Sequence, residues 1–486
     1  MSTQPLRPYQ LDAIRAAREI YRARRARGER RSNVLLVAPT GAGKTRIGVE
    51  LVVSALSRPG ADGVIWMAHR KELLQQAHSR LLAEGLSPLD VDIVAPWAKR
   101  WPGARVHVAS IETLAAALGR GEEMPSARVV VLDEAHHYAA ERWGAVARRY
   151  DGSTVLGLTA TPERGDGVAM GDLFDELIPV ASVAQLQAMG VLVRATVYAP
   201  DGPTSKLAHY PAAAYLERAR GRRGFVFTAT VAHAQQVADA LTAGGHPANV
   251  IHGQTPGPLR AALLQSFASG DPTPLRELGL ALPAPLALCN VGTLTEGVDV
   301  PGAEVCVLAH RIKHHGGYLQ RIGRVLRAAP GKTGAIILDL HGNVMRHGLP
   351  EAPRVFSLEG KAISLKGEKG EHKPTSCPDC GGVFMRWGVT EEGRRVCPEC
   401  KTVGPLLPDP SIVEKRELLQ VGPLAPPAVK AARLERLIEE GLVRGRKAGW
   451  VWHRYRDLFG SQMPRAEWKR VRELLPHVAS SAWDPS

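Results

Sequence analysis

The sequence predicts an α/β protein with two parallel-sheet domains in tandem, a small cysteine-bearing module and a mostly helical C-terminal region. Three observations carry this expectation. Short apolar, β-branched runs recur between Val34 and Thr161 and again between Thr196 and Leu338, with helical stretches between them. That alternation marks parallel strands joined by crossover helices. The first run ends in a glycine-rich turn that opens a helix, and two Cys-x-x-Cys pairs stand well beyond the last run. At 486 residues and roughly 100–200 residues per domain, there is room for two large domains and something smaller. The expected limits are 1–190 and 191–358 for the two sheets, 359–404 for a linker and the cysteine module, and 405–486 for a Pro-rich linker with a basic, aromatic region.

The chain is 44% hydrophobic, enough for sizeable cores, and carries a net charge of +14 with an isoelectric point near 9.7. This balance favours a polyanionic partner, most simply nucleic acid, although an arginine-rich surface alone gives the same balance. No apolar run reaches the length of a membrane span, and no secretory core opens the chain. A cytoplasmic location without membrane contact is therefore expected. Arg22, Arg24, Arg25, Arg27, Arg30 and Arg31 crowd an early helix and its exit, and are expected on a solvated face.

The first strand, Val34-Leu35-Leu36-Val37, runs through Ala38-Pro39-Thr40-Gly41-Ala42-Gly43 into Lys44-Thr45 and a helix. Strand, glycine-rich loop and helix in that order form a phosphate-binding loop. Thr40, Gly41, Ala42 and Gly43 would turn backbone N–H groups onto a phosphate with no Cβ in the way at the glycines. The helix N-terminus adds its dipole. Lys44 would reach the β- and γ-phosphates of ATP, and Thr45 would hold Mg²⁺. The pattern opens with Gly elsewhere; here Ala38 stands in that place. Upstream, Arg7 and Gln10 precede a helix expected to start near Leu11, and the Gln10 amide can both donate to and accept from adenine.

Val64-Ile65-Trp66-Met67 and Val106-His107-Val108-Ala109 are further buried strands. Arg70 follows the first; Ser110 and Thr113 follow the second. Ligands bind at such carboxyl edges in open α/β sheets, and these groups suit a phosphodiester backbone. Helix capping would explain Ser110 and Thr113 equally well. Val129-Val130-Val131-Leu132 is continuously apolar, hence buried on both faces, and leads into Asp133-Glu134-Ala135-His136. Asp133 would complete the Mg²⁺ shell, Glu134 would serve the attacking water as general base, and His136 would face the second domain. Thr159 and Thr161 end the next strand, where their hydroxyls can reach His136 or Asp133 and sense the nucleotide.

In the second series, Phe225-Val226-Phe227 leads to Thr228, and Val250-Ile251 leads to His252. Residues 286–289 lead to Asn290 and a loop holding Thr293, Gly297 and Asp299. No phosphate-binding loop appears here. Cys289 and Cys306 sit inside apolar strands as inert core residues, and residues 270–285 look like a surface insertion. Residues 320–327 read as a helix with Gln320, Arg324 and Arg327 on one face, at spacings of three and four. A row of guanidiniums repels itself unless it meets anions, and an arginine supplied across a cleft stabilises charge on a γ-phosphate. A solvated basic face is the plain alternative.

Taken together, the set resembles the helicase core of superfamily 2, two RecA-like domains with ATP between them. Residues 38–45 look like motif I, 68–73 motif Ia, 108–114 motif Ib and 159–162 motif III. Asp133-Glu134-Ala135-His136 looks like motif II in its DEAH form. Residues 225–230 look like motif IV, 292–301 motif V and 320–327 motif VI, while Gln10 looks like the adenine-reading glutamine. The resemblance covers about residues 1–350, and is nearest to the type III restriction-subunit, XPB and RadD-like group of DNA-directed members. It does not extend to the DEAH RNA helicases, whose further modules this chain is too short to hold. The resemblance implies nucleic-acid-stimulated ATP hydrolysis coupled to movement along a strand. It implies that Lys44, Asp133, Glu134, Gln320, Arg324 and Arg327 are catalytic. Arg7, Gln10, residues 40–45, Asp133, Gly297 and Asp299 would bind the nucleotide, with Mg²⁺ on Thr45 and Asp133. His136, Thr159 and Thr161 would couple the sites, and Arg70, Ser110, Thr113, Thr228, His252 and Thr293 would contact nucleic acid.

Beyond Asp339 the chain changes character. Residues 360–371 are rich in Gly and Lys and form a linker. Cys377, Cys380, Cys397 and Cys400 stand as two knuckles whose separation fits a tetrahedral Zn²⁺ ribbon; two disulfides or a redox pair suit an intracellular ATPase less well. Residues 405–427 are Pro-rich linker. Residues 429–441 form an amphipathic helix with Leu434, Leu437 and Ile438 on one face and Gly441 as its stop. Residues 449–456 interleave Trp450, Trp452 and Tyr455 with basic groups. They could stack bases, pack a small core, alternate as a strand, or dock a protein partner. The function expected is an ATP-dependent DNA helicase or translocase in repair, recombination or phage DNA metabolism. The alternatives are the same motor on RNA, the motor subunit of a restriction or repair complex, and an ATP-gated clamp that does not unwind.

Overall fold

The computed structural model describes residues 5–29, 31–58, 63–98, 103–139, 141–162, 170–200, 206–295, 297–359, five short strands between 375 and 406, and 419–475 apart from 422, 423, 444, 445 and 447. The first unit is built from α1 (Pro8–Ala26), β1 (Ser32–Val37), α2 (Lys44–Leu56), β2 (Val64–Ala68), α3 (Lys71–Ala83), β3 (Val91–Val94), β4 (Val106–Ser110), α4 (Ile111–Gly119), β5 (Val129–Asp133), α5 (Glu141–Arg148), β6 (Thr154–Thr159), β7 (Glu176–Pro179) and α6 (Val183–Ala188). Its sheet has the order β3-β4-β2-β5-β6-β1-β7, every pair parallel. The central strands are buried beyond their first residues because helices cover both faces. Ile14, Val52 and Leu74 from α1, α2 and α3 pack on one face, and Leu114 and Val146 from α4 and α5 on the other.

The second unit repeats the plan with β8 (Ala195–Ala199), α7 (Pro211–Ala219), β9 (Gly224–Phe227), α8 (Val231–Ala243), β10 (Ala248–Ile251), α9 (Gly257–Ser269), α10 (Thr273–Arg276), β11 (Ala287–Asn290), β12 (Val305–Leu308), α11 (His315–Gly323), β13 (Ala335–Asp339) and α12 (Asn343–His347). The strands β10-β11-β9-β12-β13-β8 are parallel. Then come β14 (Thr375–Ser376), β15 (Val383–Phe384), β16 (Gly388–Val389), β17 (Arg394–Val396) and β18 (Val403–Leu406), in antiparallel pairs β14-β15, β16-β17 and β17-β18. A last strand, β19 (Leu419–Val421), returns antiparallel to β8 at the edge of the second sheet. Three helices close the description: α13 (Pro427–Val443), α14 (Ala448–Phe459) and α15 (Arg465–Leu474). Among the described residues no helix is long and apolar enough to cross a membrane.

Several expectations need correction. The first helix begins at Pro8, whose missing N–H costs nothing at a helix start. The Pro-rich linker contains β19, which the edge of β8 recruits. Residues 270–285 are more than a surface loop, since α10 plants Leu275 in the core. Gly441 does not stop its helix: α13 runs two residues further, and a Cβ at Gly441 would meet Leu475 Cδ2 at 3.2 Å, so its glycine serves close packing. Trp450 and Trp452 lie on a helix and not a strand, with Trp452 buried against the second unit's core. Arg24 is not solvated; it pairs with Glu29 at 2.6 Å and reaches Asp175 and Glu176 beside β7. The chain after α12 also crosses back: Phe356 and Leu358 pack on the first unit's core, and Leu358 O accepts from Met170 N and Gly171 N, each at 2.9 Å.

Candidate active site

Adjacent strands β5, β6 and β1 end together, so the loops after Val37, Leu132 and Leu158 open on one edge. Gly41 (φ +91°) and Gly43 (φ +82°) hold the left-handed backbone of the loop into α2. A Cβ would also crowd its neighbours: one on Gly43 would lie 2.5 Å from Gln10 Nε2, and one on Gly41 2.9 Å from Leu192 Cδ2. Tyr9 Oη and Gln10 Nε2 both donate to Ala42 O, at 2.9 and 3.2 Å, while Gln10 Oε1 accepts from Arg7 N. Gln10 therefore ties α1 to the loop. The Arg7 side chain is exposed. Lys44 Nζ donates to Ala38 O at 3.3 Å and lies 4.0 Å from Glu134 Oε1. Thr45 lies in the first turn of α2, half-buried.

Asp133 and Glu134 form a buried acidic pair at the end of β5. Burial, then the charge of Glu134, pushes the Asp133 carboxyl up to about 7, against the pull of Lys44. Glu134 has φ +49°, the one positive φ among the described non-glycine residues. Such a backbone costs roughly 1–3 kcal/mol and persists where the surroundings impose it. Here it turns the carboxylate inward, with Oε2 3.6 Å from His136 Nδ1 and without a hydrogen bond. The Thr159 hydroxyl donates to Thr161 O at 2.6 Å, so its oxygen accepts from His136 Nδ1 at 3.0 Å, which puts the proton on Nδ1. His136, Thr159 and Thr161 thus form one buried chain beside the acidic pair.

The second unit faces this edge. A Cβ on Gly323 would lie 2.7 Å from Thr40 Cβ, so α11 ends against the phosphate-binding loop. Here a further correction is due. Gln320, Arg324 and Arg327 do not share a helix face, because α11 stops at Gly323. Beyond it the chain pairs with Leu192 at Arg327, and Leu326 O accepts from Val193 N at 2.7 Å. Gln320 is buried on α11. Arg324 is buried in a turn, with Nε donating to Thr295 O at 3.1 Å and Nη1 donating to Val298 O. Arg327 pairs with Asp299, and its Cγ would be 3.1 Å from a Cβ on Gly41. Gly297 (φ +75°) approaches Glu72 of α3 in the same way. Sequence reasoning missed Leu192, Tyr9 and Gly323; only Gly323, beside two arginines, carried a signal.

The residues assigned to nucleic acid scatter along the two carboxyl edges. Arg70 Nη1 donates to Thr293 O at 3.0 Å, joining the units directly. Ser110 occupies the N-cap of α4 without a side-chain capping bond, and Thr113 lies in its first turn. His252 is half-buried, and its carbonyl accepts from Arg260 Nη2 at 3.1 Å. Thr228 is buried, its hydroxyl donating to Thr230 O at 3.1 Å, which leaves its side chain facing its own sheet. Cys377, Cys380, Cys397 and Cys400 lie outside the described residues. Among the described residues no cluster of His, Cys, Asp and Glu could hold a metal ion. Cys289 and Cys306 are buried, and burial pushes both thiols up.

Known proteins resemble this chain in sequence and in fold. Residues 3–164 match the family model of the type III restriction enzyme res subunit, and residues 206–329 match the helicase conserved C-terminal domain. A 51.5 kDa protein of a Lactococcus phage (isolate 7-9) is 25% identical over 410 residues, 80% of each chain. The "Putative mitochondrial ATP-dependent helicase irc3" of Schizosaccharomyces pombe is 27% identical over 385 residues, 73% of this chain and 60% of that one. Among solved structures, the ATP-dependent type ISP restriction-modification enzyme LlaBIII, bound to DNA, is similar with a TM-score of 0.51 at 16% identity, over 69% of this chain and 27% of its own. That likeness is one of fold, two RecA-like parallel-sheet domains in tandem.

Proposed function

We propose that this chain, which belongs to the superfamily 2 helicases and is related to the res subunit of type III restriction enzymes, is an ATP-dependent motor on DNA. One observation carries the proposal: Lys44, Asp133 and Glu134 on one unit stand across a close-packed seam from Arg324 and Arg327 on the other. The residues fit a nucleotide with Mg²⁺. Gly41 and Gly43 hold the left-handed loop backbone that would turn N–H groups onto a phosphate, and burial with the charge of Glu134 raises the Asp133 carboxyl, a strain that a bound cation would relieve.

In this reading the loop N–H groups and Lys44 hold the phosphates, Gln10 and Arg7 lie toward the base, and Thr45 and Asp133 hold the metal. Mg²⁺ supplies charge neutralisation on the phosphate oxygens. Glu134 takes the proton of the attacking water. Arg324 and Arg327 stabilise the charge developing on the γ-phosphate, supplied across the seam as arginine fingers are. Gln320, Gly297 and Asp299 line the same seam. His136, Thr159 and Thr161 connect hydrolysis to the carboxyl edges. There Arg70, Ser110, Thr113, Thr228, His252 and Thr293 would follow a strand, some of them through backbone groups.

DNA is favoured over RNA because the family matched is a restriction subunit and a fold neighbour holds DNA. The domain limits of 1–190 and 191–358 remain part of this proposal, with Phe356 and Leu358 reaching back onto the first unit's core. The four cysteines would hold Zn²⁺, since each pair falls in sequence between strands that pair, β14 with β15 and β17 with β18. About one zinc per chain by elemental analysis supports the ribbon; none removes it. The function is tested by ATP turnover against single-stranded DNA, duplex, fork and RNA, with strand displacement on the fork. Stimulation by RNA alone, or by neither polymer, overturns it.

A further inference from the structure

We infer that the first unit carries a second anion site, on the edge of its sheet opposite the candidate active site, for a small ligand bearing two or more phosphates. Arg18, Arg22 and Arg25 follow at spacings of four and three, which puts them on one face of α1. The structure turns that face over a cavity of about 480 Å³, completed by Arg58 and Arg128. The cavity's wall includes Ser32, Val129 and Thr154, the first residues of β1, β5 and β6. The candidate active site lies at the far ends of those same strands. Five or six residues at about 3.3 Å each separate the two, so this is not an extension of the nucleotide site.

The charges at the cavity are unbalanced. The one acid lining it, Glu29, is engaged by Arg24 and Arg27 at 2.6 and 2.5 Å, and Glu50, outside the lining, is 3.9 Å from Arg18. Arg22, Arg25, Arg58 and Arg128 have no ion pair among the described residues, and all four are exposed to solvent. Ser32 Oγ, on the cavity wall, is buried without a hydrogen bond among the described residues. Guanidiniums gathered on a concave surface recognise phosphate by paired N–H donors. Leu51 and Leu156 supply an apolar wall for an organic body. The volume falls in the range of small-molecule sites, about 300–1,000 Å³, and a duplex is too wide to enter. A nucleoside diphosphate and inorganic pyrophosphate share the chemistry required.

The test is hydrogen exchange on the full chain carrying Lys44→Ala, so that the phosphate-binding loop does not compete. Pyrophosphate or ADP is expected to protect residues 18–26 and 127–131. Protection by both assigns recognition to the phosphates; protection by ADP alone adds the nucleoside. Arg22→Glu with Arg25→Glu should abolish the protection, and Arg128→Gln should weaken affinity about tenfold, the scale of one charge-assisted hydrogen bond. In the otherwise unmodified chain these exposed substitutions should leave ATP turnover within about twofold, which shows that the variants fold. Absence of protection at millimolar pyrophosphate and ADP overturns the site. So does protection that survives the double substitution, or that only a single-stranded oligonucleotide produces.

Discussion

Glu134 concentrates the chemistry proposed for the first unit into one strained residue. Its φ of +49° and its inward carboxylate, 4.0 Å from Lys44 Nζ, follow from the sharp exit of β5. Glu134→Gln keeps that geometry and removes only the base. It should bind ATP and nucleic acid within a few-fold of the unmodified protein, yet lose turnover by 10² or more, the usual scale of general-base catalysis. Glu134→Gly relieves the backbone strain and one buried like charge, so it should unfold at a higher temperature while also losing turnover. Turnover and thermal unfolding on both variants decide the matter: wild-type hydrolysis by Glu134→Gln removes the assignment. The position of this residue was legible in Asp133-Glu134-Ala135-His136 after a continuous apolar run. Its strain was not, because no local residue type announces a positive φ at glutamate.

At the scale of elements, the strands that carry the site were legible because they are continuous apolar runs ending in polar loops. The edge strands β3, β7 and β19 were not, since Asp92, Glu176 and Gln420 deny them a continuous apolar run. The helix expected over 320–327 misled for a physical reason. Its spacing suits a helix, but Gly323 must pass Thr40, and the chain then pairs with Leu192. Gly323→Ala tests that account. Its new Cβ, 2.7 Å from Thr40 Cβ, should hold the seam open by some tenths of an ångström or more. Stimulated turnover should fall on the order of 10²-fold, as for a 1 Å misplacement, while ATP binding stays within a few-fold. Unchanged turnover would mean the seam is not where hydrolysis happens.

A second element-scale prediction concerns the histidines around β12, α11 and α12. Burial first, and neighbouring arginines next, hold His310 near 4, His315 near 3 and His347 near 4. All three are neutral in the fold from neutral pH down to about 4. An unfolded chain takes up these protons near 6.5. Between pH 6.5 and 4 the unfolded state therefore binds more protons, and stability falls as pH falls. Above 6.5 both states are neutral and these residues add no pH dependence. Denaturant unfolding from pH 7.5 to 4.5 should show the loss, and His347→Gln, which keeps a donor for Ile312 O, should flatten it. A midpoint independent of pH in that window would contradict the burial of these rings.

For the whole molecule, contacts between the two units among the described residues include Thr40 and Gly41 against Gly323 and Arg327, Glu72 against Gly297 and Arg260, and Arg70 against Thr293. The strap at Phe356 and Leu358 adds another. The first and third contacts join residues assigned to ATP and to nucleic acid. A strand bridging both carboxyl edges would therefore favour the same closed arrangement that brings the arginines to the phosphates. Arg324 is held by Thr295 O and Val298 O, whereas Arg327 holds only a half-exposed carboxylate, Asp299, by a salt bridge. Arg327 is thus the one able to exchange its partner for a γ-phosphate at small cost, since an exposed pair contributes about 0–1 kcal/mol. Arg327→Ala should leave ATP binding within a few-fold and cut DNA-stimulated turnover by about 10³, the scale of an arginine finger. Arg327→Lys should recover little of it, because an ammonium cannot reproduce the planar fork. Single-turnover hydrolysis with and without DNA measures both. Normal stimulated hydrolysis by Arg327→Ala would leave Arg327 as a salt-bridge partner of Asp299 within the second unit and remove the link between strand binding and catalysis.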